Sequence, residues 1–395
     1  MYEEASTMAC GMDHHRHHHL ACTLLSLDNR KFSRTKGRDV EEVCIRSNPE
    51  KRTNNLTKNI TSNTSKFRTT FITKRKKRKH KKKMRVGFSF SPGGLLLPYH
   101  MGVMSSLSYY NQLDDTTPIA GSSAGAIAVG AHSCGLDPLK VLDATISVSD
   151  QCEVLGQARG NLLPLLNEQL EEMITDEIFH NTFQNRIGTV GVAYKEVFPK
   201  QKNYLQTRYT SRDDLFKAVS YSCMFPFFAT KWPCILDTNR IIPRLLVDGF
   251  FTVPRDRFGC PDFDQQTESL DDDSNDSDGA ATAAATTSIR VDRTVAVSCL
   301  PKERLRIDAF DDDDIICPSE DSDLGFLFRV ATEATSKQDL TQIYENGWND
   351  GEQWCWNQQQ EANNQKQTKE RRQKLSNRRF STDDVDDTNG LLPLN

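Results

Sequence analysis

Five residues, Gly121-Ser122-Ser123-Ala124-Gly125, set the tightest limit on what this chain can become. They place a serine between glycines, after an apolar run (117–121) and before a run of small residues (124–132). A G-x-S-x-G sequence in that context makes a sharp turn from a strand into a helix, because a Cβ at either flank would strike the neighbouring element. The turn lifts the Ser123 hydroxyl clear of the backbone. At the helix N-terminus it also aims N–H groups, that of Ala124 among them, at negative charge that develops there. By itself the pattern is weak, since roughly one chain in eight of this length carries it by chance. The strand before it and the helix after it give it weight.

The rest of the central segment fits such a turn. Residues 85–90 alternate toward a strand, and Ser91-Pro92-Gly93-Gly94 breaks it. Residues 95–107 read as an apolar helix with Pro98 in its first turn, where proline is tolerated. Helices are predicted over 137–148, opened by Pro138, and over 162–178 and 212–222, with one or two more in 324–348. Strands are predicted over 190–193, 204–209, 245–247 and 293–298. Strands alternating with helices make this an α/β sequence, with a mostly parallel central sheet covered on both faces.

A serine nucleophile needs a base, and histidine is the usual one. The nine histidines stand at 14, 15, 17, 18, 19, 80, 100, 132 and 180. Only His132 and His180 follow Ser123, and the ordinary order of Ser, acid, then His finds no histidine after Asp248. His132 lies nine residues along the same predicted helix, about 13 Å away at 1.5 Å per residue. Asp248 fills the gap. Leu246-Val247-Asp248-Gly249 sets a carboxylate at the end of an apolar strand, with Gly249 allowing the turn, and open α/β sheets gather reactive groups at strand ends. Burial that raises its pKa toward neutrality would let Asp248 take the serine proton directly. The Gly93 and Gly94 amides, between the first strand and first helix, are candidate donors to an oxyanion, each worth roughly 3–4 kcal/mol of barrier.

Composition bounds the flanks. The hydrophobic fraction is 37% of 395 residues, low enough to suggest long polar ends. Residues 1–83 read as a disordered N-terminal tail, 84–352 as the catalytic domain with an acidic disordered insert over 262–290, and 353–395 as a polar tail. The formal net charge is −4, yet residues 74–85 hold ten Lys or Arg and no acid, leaving −14 on the remainder. Such a run suits anionic lipid headgroups, at about 1 kcal/mol per residue, but also a nuclear import signal or a nucleic-acid arm. Eleven cysteines without a C-x-x-C pair imply reduced thiols rather than a zinc or redox framework. The histidine-rich tract at 14–19 reads as a solvated tail, with transition-metal binding as the other reading. No signal peptide and no apolar run of membrane-spanning length is apparent, so the three N-x-[ST] sites at Asn55, Asn59 and Asn63 are expected to be chance matches.

With these pieces in order, the sequence resembles the patatin-like phospholipase family, which pairs serine with aspartate and uses no histidine. FSFSPGGLLLPYHMGVMSSL (88–107) is similar to the family's glycine-rich oxyanion segment and the helix after it. IAGSSAGAIAVG (119–130) is similar to its nucleophile elbow, and Val247-Asp248-Gly249-Phe250 to its D-G-G or D-G-A motif. Residues 210–215 with 222–226 resemble the helix and proline stop before the acid, and residues 343–348 the closing helix, so the likeness spans about 84–352. Pro92 stands where the family has its first glycine, Leu97 where another glycine is frequent, and Phe250 where a small residue follows D-G. Pro92 has no N–H, so the hole would rest on Gly93, Gly94 and Ala124.

The resemblance implies a patatin-like three-layer α/β/α sandwich. It implies hydrolysis of phospholipid, galactolipid or triacylglycerol esters through an acyl-serine at Ser123 with Asp248 as base, without cofactor or metal. The partner is then a lipid substrate at a membrane or lipid-droplet surface, and no nucleic acid is expected. The expected location is cytoplasmic and peripherally membrane-associated, with a plastid as the other possibility. A transacylase on the same site and a catalytically weak lipid-surface scaffold are the alternative readings.

Overall fold

A computed structural model describes residues 84–239, 242–264 and 291–380, with side chains as far as 373. The tail before 84, nearly all of the basic run, most of the acidic insert and the last fifteen residues lie outside the described residues. Strand β1 (Val86–Phe90) is buried along most of its length and pairs in parallel with β2 (Ile119–Gly121) on one side and β7 (Arg293–Val297) on the other. β8 (Ile315–Ile316) continues in parallel beyond β7, and β3 (Val190–Phe198) beyond β2. These are the near-continuous apolar strands of a sheet buried on both faces. Three pairings are antiparallel: β4 (Lys202–Gln206) with β3, β6 (Arg244–Val247) with β3, and β5 (Ile235–Asp237) with β6. The result is a mixed, mostly parallel central sheet with flanking helices, the α/β class expected.

β3 organises the site. Val192 pairs with both Gly121 of β2 and Gln206 of β4, and Lys195 with both Asn203 of β4 and Val247 of β6. A residue offers each edge once, so β4 runs along one edge of β3 while β2 and β6 share the other. β2 and β6 therefore approach end to end, and the segments leaving both meet at the same point. Asp248 thus follows an antiparallel strand that points at the end of β2, rather than a parallel neighbour. β3 is also longer than the predicted 190–193. Its second half carries Glu196, whose charge hides the strand pattern yet is buried. The Tyr204 hydroxyl donates to Glu196 Oε2 (3.0 Å), and Arg244 Nη1 faces the same oxygen at 3.7 Å. Arg244 Nε donates to Asp237 Oδ2 (3.1 Å), so a buried network ties β3, β4, β5 and β6 together.

Helices α1 (Leu97–Tyr109), α2 (Ala124–Ser133), α3 (Pro138–Val154) and α5 (Arg212–Ser222) follow local signals. Asp137 caps α3 by accepting from the Leu139 amide (3.0 Å), and Ser211 caps α5 by accepting from Asp214 (3.1 Å). The helix predicted over 162–178 ends early as α4 (Leu162–Met173), because Ile174 turns extended and Thr175 caps a separate short turn. α6 (Leu324–Thr332) and α7 (Lys337–Phe380) complete the set. The domain boundary expected at 352 falls inside α7. Beyond it Trp354 is buried edge-on against Phe88 (5.8 Å) and its indole N–H donates to the Asp313 carbonyl (2.9 Å). None of the helices among the described residues is long and apolar enough to cross a membrane.

α1 and α7 are in backbone contact. A methyl on Gly102 would lie 2.1 Å from the Tyr344 carbonyl oxygen, and one on Gly347 would lie 2.1 Å from that of Tyr99. Gly→Ala inside an ordinary helix stabilises by about 1 kcal/mol. Gly347→Ala is expected to do the opposite, costing about 2–3 kcal/mol in urea denaturation because the helices must separate. A neutral or stabilising result would mean that they do not approach this closely.

Candidate functional site

Ser123 sits at the end of β2 with φ +53°, in a positive-φ region that a side chain with a Cβ seldom occupies. The glycines around it have steric causes. A methyl on Gly121 would lie 2.2 Å from the Gly125 carbonyl oxygen, and one on Gly125 would lie 2.5 Å from that of Phe90. The elbow thus presses against the end of β1, where the Ser122 amide also donates to the Phe90 carbonyl (3.1 Å). The Ser123 amide donates to the Ser222 hydroxyl (2.9 Å) at the end of α5. That donor is therefore committed to holding the elbow and is not free for a substrate.

Asp248 is fully buried at the junction of β6 and β2. Its own amide donates to the Met224 carbonyl (2.9 Å), and its Oδ1 accepts from the Phe250 amide (2.8 Å). Oδ2 has no hydrogen-bond partner among the described residues. Burial raises the carboxyl to about 7, against the opposing pull of the Phe250 amide and the nearby Ser123 hydroxyl. Ser123 is thus close enough to act on the carboxyl but has not closed a hydrogen bond with Oδ2. Gly249 is required because a methyl there would lie 2.3 Å from the Ala193 carbonyl oxygen and 2.9 Å from Ser122 Oγ.

The glycine-rich turn closes the third side. A methyl on Gly93 would stand 3.7 Å from the Ala124 Cβ, so the turn abuts the residue after Ser123. Gly94 takes φ +57°, and a methyl there would meet the Ala331 carbonyl oxygen of α6 at 2.3 Å. Among the described residues no hydrogen bond uses the Gly93, Gly94 or Ala124 amide. Pro92 contributes its carbonyl instead, which accepts from Ser91 Oγ (3.0 Å) and Cys299 Sγ (3.3 Å).

Sequence reasoning passed over four residues around this constellation. Ser222 holds the elbow. The Cys223 thiol, raised well above its usual value by burial, also feels the Asp248 carboxylate and the Ser123 hydroxyl. Cys299 lies under Gly93, 2.7 Å from the position a methyl would take. His100 is fully buried, with Nε2–H donating to the Ser91 carbonyl (2.8 Å), and burial holds its ring down to about 4. It braces the turn as a neutral imidazole. No local pattern marks these four, because each acts through a partner far away in sequence. The other two candidates stand elsewhere: His132 is in the last turn of α2, held to about 4 by burial and by Arg186, and His180 is hydrogen-bonded to Gln184 (2.9 Å).

An α/β sheet with a serine at a strained strand–helix turn, a buried carboxylate at a facing strand end and free amides alongside has the layout of a serine acyl-hydrolase. Residues 88–258 match the family model described as patatin-like phospholipase. No curated protein sequence matches the chain. Among solved structures the chain is similar to VipD from Legionella pneumophila, at 10% identity and a TM-score of 0.34, over 69% of this chain and 66% of that one. It is also similar to a chain of the heterodimeric ExoU-SpcU complex from the type III secretion system of Pseudomonas aeruginosa, at 13% identity and a TM-score of 0.35, over 69% of this chain and 51% of that one. The chain thus spans less than two thirds of either relative's length.

Proposed function

We propose that the protein cleaves acyl esters of glycerolipids (phospholipid, galactolipid or triacylglycerol) through an acyl-enzyme on Ser123, with Asp248 as the only base. The observation that carries this reading is the Asp248 carboxyl: fully buried, raised to about 7, with one oxygen unpartnered beside the serine elbow. A carboxylate tuned to neutrality can accept a proton and return it, which is what a general base without histidine must do.

In this mechanism Ser123 Oγ attacks the ester carbonyl carbon as its proton passes to the Asp248 carboxylate. The tetrahedral oxyanion faces the Gly93, Gly94 and Ala124 amides, which are preorganised by the turn and need not reorient. The C–O bond to the glycerol oxygen then breaks, that oxygen takes the proton from Asp248, and acyl-Ser123 remains. Water attacks the acyl carbon, gives its proton to Asp248, and the fatty acid leaves as Ser123 regains that proton. The protein works from the aqueous side, at the surface of a membrane or droplet.

Labelling with a fluorophosphonate tests the nucleophile. The wild type is expected to be labelled and Ser123→Ala is expected to lose the label completely. An equally labelled Ser123→Ala protein would assign the activated serine elsewhere, and a folded wild type that resists labelling would favour a scaffold.

A further inference from the structure

We propose that the α3–α4 and α5–β5 loops together form a docking surface for a lipid bilayer or monolayer, which carries the candidate site to its substrate. The inference rests on the acyl-hydrolase reading for its purpose but on separate residues for its structure. The two loops are stitched into one surface: the Gly160 amide donates to the Phe228 carbonyl (2.6 Å), the Leu163 amide to that of Ala229 (3.0 Å), and Arg159 Nε to that of Phe227 (2.9 Å).

The side chains on this surface are large, apolar and unburied. Val154 is 88% exposed, Leu155 55%, Phe227 50% and Trp232 71%. Isolated exposed apolar residues are ordinary, but four on two loops joined by hydrogen bonds suit a binding surface. Phe227 strengthens the case because it holds φ +58°, a strained conformation for an aromatic residue, and gains little burial in return. The loop keeps it there through the Phe227 amide bond to the Trp232 carbonyl (3.2 Å).

Chemistry and position favour lipid over a protein partner. Segments 154–160 and 225–232 contain no acid, and each supplies one cation, Arg159 and Lys231. Aromatic and aliphatic side chains edged by cations are what a headgroup boundary accepts, with the rings in the acyl region and the charges at phosphate level. The surface also begins at the site. Met224, at the root of the α5–β5 loop, accepts the Asp248 amide, and the Phe225 ring stacks on Phe251 (5.5 Å) two residues beyond Gly249. A lipid leaving the bilayer here would arrive beside Ser123.

The experiment uses the full chain and phosphatidylcholine vesicles in roughly 0.5 M salt, which screens the basic run so that apolar insertion is read alone. Co-sedimentation of the wild type is compared with Leu155→Ser/Phe227→Ser/Trp232→Ser, together with turnover of the soluble ester 4-nitrophenyl butyrate. The triple variant is expected to partition roughly 100-fold more weakly and to keep soluble-ester turnover. Unchanged partitioning, or no wild-type binding, overturns the docking surface. Loss of partitioning by a chain inactive on every ester would retain the surface and discard the hydrolase reading. As a control against unfolding of the triple variant, quenching by brominated phosphatidylcholine is measured on wild type and Trp232→Phe. Most of the quenching is expected to vanish with Trp232, although Trp348, Trp354 and Trp356 remain; undiminished quenching overturns the proposal. Vesicle binding that stays intact while the same substitutions dissociate a dimer would assign the surface to a second copy and also overturn it.

Discussion

Asp248→Asn is expected to lower ester turnover by roughly 10²–10⁴-fold while the protein stays folded. Asparagine has nearly the shape of aspartate and its Oδ1 can still accept from the Phe250 amide, but it cannot take a proton from Ser123. Among the described residues no histidine stands in for it, since His100 faces the Ser91 carbonyl, His132 lies in the last turn of α2 and His180 bonds Gln184. The pH dependence separates this from a positional effect. With the carboxyl at about 7, wild-type turnover should rise with pH through neutrality, and the residual rate of the variant should not. A rate independent of pH between roughly pH 5 and 9, or an active Asp248→Asn, would remove Asp248 as the base.

Stability provides the opposite sign. The folded carboxyl sits at about 7, well above the roughly 3.9 of an unfolded aspartate. Between these values the unfolded chain releases a proton that the folded one keeps. The contribution of Asp248 to stability is therefore present in full below pH ~4 and is lost as pH rises toward 7. Asp248→Asn has no such loss. It should unfold at higher denaturant than wild type at pH 8, by on the order of 1–3 kcal/mol, and lose that advantage in acid. A variant that is less active yet more stable is the signature of a group held in an unfavourable state for function.

Arg244→Met is expected to be the most damaging single change to the fold near the site, costing about 3–5 kcal/mol by urea denaturation. Arg244 faces the buried carboxylates of both Asp237 and Glu196, and its removal takes that charge out of a desolvated strand junction. Burial pushes Asp237 upward, but hydrogen bonds from Arg244 and Asn239 outweigh it and hold the carboxyl below its usual value. In wild type that stabilisation is present above the unfolded value of about 3.9 and is lost as pH falls through the lower folded value. In the variant the Asp237 carboxylate should gain a proton more readily, so the deficit should narrow toward pH ~4. Adding Asp237→Asn to Arg244→Met should recover part of the loss. A deficit below about 1 kcal/mol would show that water reaches the network.

Much of the plan was legible from sequence because its causes are local. The need for Gly121 follows from a clash four residues away, with the Gly125 carbonyl, and the Asp137–Pro138 and Ser211 helix starts are local too, whereas Gly125 is fixed by Phe90 at the end of β1. The apolar strands β1, β2 and β7 were visible because both of their faces are buried. What failed was read from polarity. The second half of β3 was missed because Glu196 resembles a surface residue until Arg244 and Tyr204 surround it. The end of the domain was set at 352 because the glutamine-rich stretch after Trp356 hides the two buried residues just before it, Trp354 and Cys355.

The sequence by itself determined the α/β class, the order of the strands and helices around Ser123, and the candidate pairing of a serine with a carboxylate. Only the tertiary structure decided where that carboxylate stands. β2 and β6 share one edge of β3 and meet head to head, so residues 125 positions apart adjoin at a buried point. Burial there raises the Asp248 carboxyl, and Ser222, Cys299 and His100 hold the turns in place. Helix caps and the Gly121–Gly125 contact are short-range and are written in neighbouring residues. Desolvation and strand-edge sharing depend on what the rest of the chain places around a group, and no local window contains that information.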